Sequence, residues 1–128
     1  MHDRKIVHRD IKSSNIFLTS MNIIKLGDFG ISSFLNHTHD FLKSFAGTYF
    51  YLSPEIVNRK PYNDKTDIWS LGVLLYEMCA KEPPFNVKNN DKKELERKIK
   101  KGQYKDIPPI YSDELKLLIK KMLSLDSN

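Results

Sequence analysis

The stretch "HRDIKSSN" (residues 8–15) brings an acid, two cations and an amide within eight positions, and "DFG" (residues 28–30) begins thirteen residues beyond Asn15. Between them lie two β-prone runs, "IFL" (16–18) and "IIKL" (23–26), joined by "TSMN". Two short runs around a polar link predict a β-hairpin. Because a hairpin folds the chain back on itself, we expect Asp28 to return beside Asn15.

Helices dominate the rest of the chain. A run of apolar residues in "DIWSLGVLLYEMCA" predicts a helix over 65–80 with Asp64 as its N-cap. Its apolar residues cover nearly the whole circumference, which predicts a helix buried on all sides. Further helices are predicted over 91–101, ending at Gly102, and over 113–124 after Ser112.

Three more motifs follow in order: "GTYFYLSPE" (47–55), "DIWSLG" (67–72) and "KEPPF" (81–85). Together with the first two, they resemble the protein kinases, of the serine/threonine type and closest to the NIMA-related (never-in-mitosis-A) group. The resemblance covers the whole chain. It implies a partial protein kinase domain over 1–128, the mainly α C-terminal lobe, with a short β-hairpin beside a catalytic loop (8–15). A metal loop and activation segment would span 28–55, and the N-terminal β lobe would be absent from this chain.

The resemblance implies a site for Mg-ATP and for a protein substrate. Asp10 would orient the acceptor hydroxyl and take its proton. Lys12 would place a cation near the γ-phosphate of ATP, while Asn15 and Asp28 would supply oxygen ligands to Mg²⁺. The form H-R-D-x-K-x-x-N, with Thr48 expected to contact Asp10 and Lys12, indicates Ser or Thr acceptors.

The resemblance also implies regulatory and structural roles for residues in or near these motifs. Ser44 matches the activating phosphorylation position of the NIMA-related group, so an activating kinase or autophosphorylation would modify it; the alternative is a solvated loop serine. Arg9 would pair with that phosphate or be a surface cation. His8, Phe29, Glu55 and Asp67 are predicted to be structural. Tyr49 stands where the family usually has proline.

Composition narrows the class of protein. The formal charge is +5, but Glu94–Lys98 and Glu96–Lys100 at i,i+4 spacing in "DKKELERKIKK" (91–101) predict a solvated helix face, which makes nucleic acid an unlikely partner. The single Cys79 and the lack of an ~18-residue apolar run predict no disulfide and no membrane span. We expect a cytoplasmic protein, with a nuclear or cytoskeleton-associated one as the alternative.

The five glycines fall at 27, 30, 47, 72 and 102, so the chain contains no G-x-G-x-x-G phosphate loop. We therefore expect the chain alone to transfer phosphate undetectably. It also ends before the arginine that the resemblance pairs with Glu55. Three hypotheses stay open: part of a serine/threonine kinase, a non-catalytic interaction module derived from a kinase, and a basic nucleic-acid-binding domain. The intact Asp10, Lys12, Asn15 and Asp28 favour the first, since a scaffold has no use for metal ligands.

Overall fold

The computed structural model describes residues 2–4, 6–27, 48–61 and 63–125, without the side chains at 48 and 90. Its architecture is mainly helical with one two-stranded antiparallel sheet, as expected for the C-terminal lobe of a kinase. The predicted roles of Asp28, Phe29 and Ser44 fall outside the described residues, as does the predicted contact of the Thr48 side chain.

The predicted hairpin is present. Strand β1 (Ile16–Leu18) pairs with β2 (Ile24–Leu26), and Phe17 lies opposite Lys25 in the register. The Gly27 N–H donates to the Asn15 carbonyl over 2.9 Å, so the pairing continues one step beyond the strands. The end of the hairpin is therefore fixed to the end of the catalytic loop.

Two short elements precede the central helix. A 3₁₀ turn covers Thr48–Tyr51, and helix α1 (Pro54–Val57) begins at Pro54, which suits a first helical position because it needs no N–H partner there. Helix α2 spans Lys65–Ala80, the range that the sequence predicted. The helix stops after Ala80 because the next residue, Lys81, has a left-handed backbone (φ 63°).

The predicted N-cap of α2 is wrong. Asp64 already has helical dihedrals (φ −61°, ψ −21°) and its side chain makes no capping bond. An N-cap residue normally has an extended backbone. The Asn63 side chain instead accepts from the Lys65 N–H over 3.0 Å.

Helix α2 is also not buried on all sides. Trp69, Val73 and Tyr76 are almost fully buried, whereas Ile68, Leu71 and Met78 are 37%, 40% and 61% exposed. The exposed residues share one face, because their spacing is close to whole helical turns. That face of α2 is therefore only partly covered in the described structure.

Two further helices complete the core. Helix α3 (Lys92–Lys101) begins at Asp91, whose carboxylate accepts from the N–H groups of residues 93 and 94. Helix α4 (Asp113–Met122) begins after Ser112, which accepts from residue 115, and ends two residues before the predicted boundary.

Phe85 is fully buried after the end of α2. Its ring stacks on Trp69 with 5.6 Å between the ring centroids, and it makes a T-shaped contact with Tyr104.

Gly72 lets α2 and α4 approach closely. A Cβ atom built on Gly72 would lie 2.8 Å from the Met122 Cβ and 3.1 Å from Leu123 Cδ2. These distances are shorter than van der Waals contact, so no side chain larger than hydrogen fits without a shift of α4.

Candidate active site

Asp67 on α2 anchors the catalytic loop. Its side chain is 2% exposed, and its two oxygens accept from the backbone N–H groups of His8 and Arg9 at 2.8 Å each. His2 Nε2 lies 2.9 Å from the same carboxylate. A buried carboxylate needs such charge-assisted bonds to offset its lost hydration. A rigid helix thus sets the position of the loop.

The loop itself has an unusual backbone. Arg9 has φ 69°, a left-handed conformation that non-glycine residues rarely adopt. The fully buried His8 side chain stabilises the loop on both sides of this residue, because its Nδ1 accepts from the Asp10 N–H (3.3 Å) and its Nε2 donates to the Gly27 carbonyl (3.0 Å). The imidazole therefore joins the catalytic loop to the end of β2.

Asp10, Lys12 and Asn15 meet in one buried cluster. Asp10 Oδ2 lies 2.9 Å from Lys12 Nζ and accepts from the Asn15 amide over 3.0 Å, and the same amide donates to the Asp10 carbonyl over 2.8 Å. Asp10 Oδ1 is buried and has no hydrogen-bond partner among the described residues. One oxygen of the carboxylate is thus held in place, while the hydrogen-bonding capacity of the other is unused within the described structure.

Tyr51 connects this loop to the central helix, a role that the sequence analysis missed. Its hydroxyl donates to Glu77 on α2, accepts from the Ser13 N–H (3.4 Å) and lies 3.2 Å from Ser13 Oγ. The Ser70 hydroxyl donates to the Tyr51 carbonyl over 2.9 Å. Burial and the bond to Glu77 raise the pKa of Tyr51. The available signal was that Glu77 is the one charged residue in the otherwise apolar run 71–80 of α2.

Glu55 has a partner other than the expected arginine. The Thr66 hydroxyl donates to Glu55 Oε1 over 2.6 Å and lies 3.3 Å from Ser53 Oγ. The start of α1 is therefore linked to the first turn of α2. Thr66 directly precedes Asp67, so the first turn of α2 is bonded both to the start of α1 and to the loop of residues 8–15.

Tyr49 occupies the contact between the 3₁₀ turn and α3. Its hydroxyl donates to Glu96 over 3.3 Å, and Lys92 Nζ lies 5.7 Å from its ring centroid. Partial burial, followed by the charge of Glu96, raises the pKa of Tyr49. A proline here would make neither polar contact.

The donor set fits part of a magnesium site. The Asn15 side chain donates through its amide nitrogen to Asp10. The amide oxygen of Asn15 makes no hydrogen bond among the described residues, and an oxygen ligand of this kind suits a hard cation. The second predicted ligand, Asp28, directly follows Gly27 but lies outside the described range. Within that range, no group of three or more His, Cys, Asp or Glu residues could hold a metal ion.

The family comparisons agree with this geometry. Residues 1–128 match the family described as protein kinase domain. The chain belongs to the protein kinase family. Over 120 residues, 94% of the chain and 26% of the relative, it is 52% identical to human serine/threonine-protein kinase Nek2. It is 46% identical to G2-specific protein kinase nimA of Emericella nidulans over 121 residues, which cover 94% of the chain and 17% of that relative.

The NIMA-related resemblance is thereby confirmed, and this kinase-family chain spans about a quarter or less of the relatives it matches. In the part of the chain that the structure describes, no helix is long and apolar enough to cross a membrane.

Proposed function

We propose that this chain supplies the catalytic loop of a serine/threonine protein kinase that transfers the γ-phosphate of ATP to protein hydroxyls. The observation that carries the proposal is the asymmetric environment of Asp10. Its Oδ2 is held by Lys12 and Asn15, while its buried Oδ1 has no partner in the described structure. Leaving a buried polar atom unsatisfied costs about 1–3 kcal/mol, which a substrate hydroxyl bound there would recover.

Each residue then has a distinct task. Asp10 Oδ1 accepts the hydrogen bond of the acceptor hydroxyl, orients its oxygen towards phosphorus and takes the proton as the new bond forms. Lys12 holds the other carboxylate oxygen and brings positive charge to the transferring phosphate. Asn15 and Asp28 are the residues that would hold Mg²⁺, which neutralises phosphate charge when bound.

Substrate class and regulation extend the same proposal. Lys12 in the form H-R-D-x-K-x-x-N, together with Thr48 of "GTYFY", favours Ser or Thr acceptors. Phosphorylation of Ser44 would add about −1.5 to −2 charges, for which Arg9 is the proposed partner. The partners are therefore protein substrates and, for Ser44, either an activating kinase or the protein itself.

A chimera tests the catalytic role. The matched 120 residues of this chain would replace the corresponding segment of human Nek2, which supplies the rest of a kinase. We expect the chimera to phosphorylate casein on Ser or Thr, and Asp10→Asn to lower kcat by about 10²–10⁴-fold. Asp113→Asn, an exposed acid on α4, is the matched control and should leave kcat unchanged.

Two results would contradict the proposal. One is a folded chimera in which Asp10→Asn retains activity within a few-fold of the parent. The other is phosphate found only on tyrosine. The 128-residue chain alone, which has no glycine-rich loop, should show no transfer in the same assay.

A further inference from the structure

The positive charge of the chain is concentrated in its C-terminal third. Residues 92–125 contain ten Lys or Arg and five Asp or Glu, whereas the rest of the chain has eleven of each sign. The whole formal excess of +5 therefore lies on α3, α4 and the segments that adjoin them.

The ion pairs predicted on α3, Glu94–Lys98 and Glu96–Lys100, are not the pairs that form. Glu94 pairs with Arg97 at 2.7 Å instead of Lys98, and Lys98 donates to the Asn86 carbonyl over 2.5 Å. Glu96 accepts from Tyr49 instead of pairing with Lys100. Glu94 and Glu96 make their hydrogen bonds to Arg97 and Tyr49. The bond from Arg97, and after it the charges of Arg97, Lys98 and Lys101, lower the pKa of Glu94, so the acids of α3 offset only part of the positive charge in its last turn.

Three lysines, one from α3 and two from α4, surround a cleft of about 600 Å³ where the two helices end. Lys101 is the last residue of α3, and Lys120 and Lys121 lie in the last turn of α4. Apolar side chains line the same cleft: Leu117, Leu123 and Leu125, with the ring of Tyr104. No Asp or Glu of the described chain lines it, and none forms an ion pair with the three lysines.

Helix dipoles do not cancel this charge. Lysine is favoured in the last turn of a helix because the carbonyl end carries roughly −0.5 of an elementary charge. The C-terminal ends of α3 and α4 together therefore contribute roughly −1 elementary charge, which is smaller than the positive charge of the three ammonium groups. The cleft keeps a positive potential above an apolar surface, and Leu117 and Leu125 are 53% and 49% exposed there.

We propose that this cleft, the α3–α4 cleft, binds an acidic segment of a partner protein that carries a leucine-like side chain. The apolar side chain would cover Leu117 and Leu125, and carboxylates on either side would meet Lys101, Lys120 and Lys121. The combination of charge complementarity with a pocket for one or two apolar side chains is typical of peptide recognition.

The shape favours a peptide over a membrane or a nucleic acid. Insertion into a bilayer needs protruding apolar side chains, whereas here they line a concave surface. Single-stranded nucleic acids are bound by several aromatic side chains on which successive bases stack, whereas Tyr104 is the one aromatic residue among the described residues that line this cleft.

A larger cleft of about 1080 Å³, lined by α3 and by residues of the segment that precedes it, lacks this complementarity. Its charged lining residues have both signs: Glu82, Asp91, Glu94, Lys88, Lys98 and Lys105. Of these two clefts, the α3–α4 cleft is therefore the one that selects for one sign of partner charge.

Fluorescence anisotropy tests the proposal with a labelled synthetic peptide in which three glutamates flank two central leucines on each side. We expect the 128-residue chain to bind it, and binding to weaken as salt is raised from 50 to 300 mM, because exposed charges are screened. Lys101→Glu, Lys120→Glu and Lys121→Glu combined should weaken binding by about tenfold or more.

Matched controls separate the cleft from overall charge. Lys25→Glu, Lys60→Glu and Lys65→Glu combined change the net charge equally at exposed sites outside the cleft, and should weaken binding by less than about threefold. Leu117→Ser should weaken binding, whereas Leu118→Ser, similarly exposed but outside the cleft, should not. Circular dichroism confirms that each variant is folded.

Specific outcomes would overturn the proposal. One is equal weakening by both lysine triples, and another is undiminished binding of a peptide with serines in place of the leucines. Tighter binding of phosphatidylserine vesicles or of single-stranded DNA, lost in the Lys101, Lys120 and Lys121 triple variant, would assign the cleft to a membrane or a nucleic acid instead. Dimers in sedimentation that dissociate in that variant would assign it to a second copy of the chain.

Discussion

Asp67→Asn should lower the free energy of unfolding of the 128-residue chain by about 2–4 kcal/mol. The Asp67 carboxylate accepts two backbone N–H bonds at 2.8 Å from residues 8 and 9. Hydrogen bonds to a charged group contribute about 1.5–3 kcal/mol each, and a buried donor left unsatisfied costs about 1–3 kcal/mol. An asparagine retains one acceptor and turns an NH₂ group towards the other N–H, so one bond is lost and one donor is orphaned.

The measurement is urea unfolding followed by tryptophan fluorescence. The single Trp69 is 3% exposed and lies two residues from the substitution, so it reports directly on this region. Stability comes from linear extrapolation, and an unchanged slope would show that the variant alters stability and not compactness. Because small domains have only about 5–15 kcal/mol in total, the midpoint should fall clearly.

Asp64→Asn is the matched control. Asp64 also lies near His2, at 3.8 Å, but its side chain is 47% exposed and makes no capping bond. Its substitution should change stability by less than about 0.5 kcal/mol. If the two variants unfold at the same urea concentration, Asp67 does not anchor the loop and the reasoning is refuted.

Three further changes are measured in the same way. Gly72→Ala should destabilise by about 1–3 kcal/mol because the new methyl meets Met122 at 2.8 Å; helix propensity alone predicts a gain of about 1 kcal/mol, so a gain would contradict the close approach. Tyr51→Phe should cost about 1–2 kcal/mol through its bonds to Ser13 and Glu77, and a neutral result would remove it as a link. Stability should also fall as pH rises above about 10, because unfolded tyrosines ionise there while burial raises the pKa of the folded ones; stability unchanged up to pH 11 would contradict this. The tyrosines concerned are Tyr49, Tyr51, Tyr76 and Tyr104.

Much of the fold could be predicted from local patterns. The range of α2, the two strands and the starts of α3 and α4 depend on periodicity and on capping residues that act within a few positions. The motif spacing likewise predicted that Asp10, Lys12 and Asn15 lie together, and the described structure brings them within hydrogen-bond distance. The predicted catalytic, metal-binding and regulatory roles stay predictions.

Competing partners explain the failures. Asp64 and Asn63 are both good capping residues, and the backbone at Asp64 decided which one caps α2. Lys98 and Arg97 could both reach Glu94, and the Asn86 carbonyl engaged Lys98. A sequence shows which groups can pair, but not which partner arrives from elsewhere in the chain.

The sequence by itself determined the family, the three long helices and the two strands, and it supplied the residues proposed for phosphate chemistry, because these depend on residue type and short spacing. Tertiary structure alone decided that Asp67 fixes the backbone of the loop, that Asp10 keeps one oxygen unpartnered, and that three lysines meet at an apolar cleft. The physical reason is that Asp67 lies 58 and 59 positions from its partners in the loop, and Lys101 lies about twenty positions from Lys120 and Lys121, so only tertiary packing brings them together. Asp10 has its partners within five positions, but which of its two oxygens they hold depends on how the loop is folded.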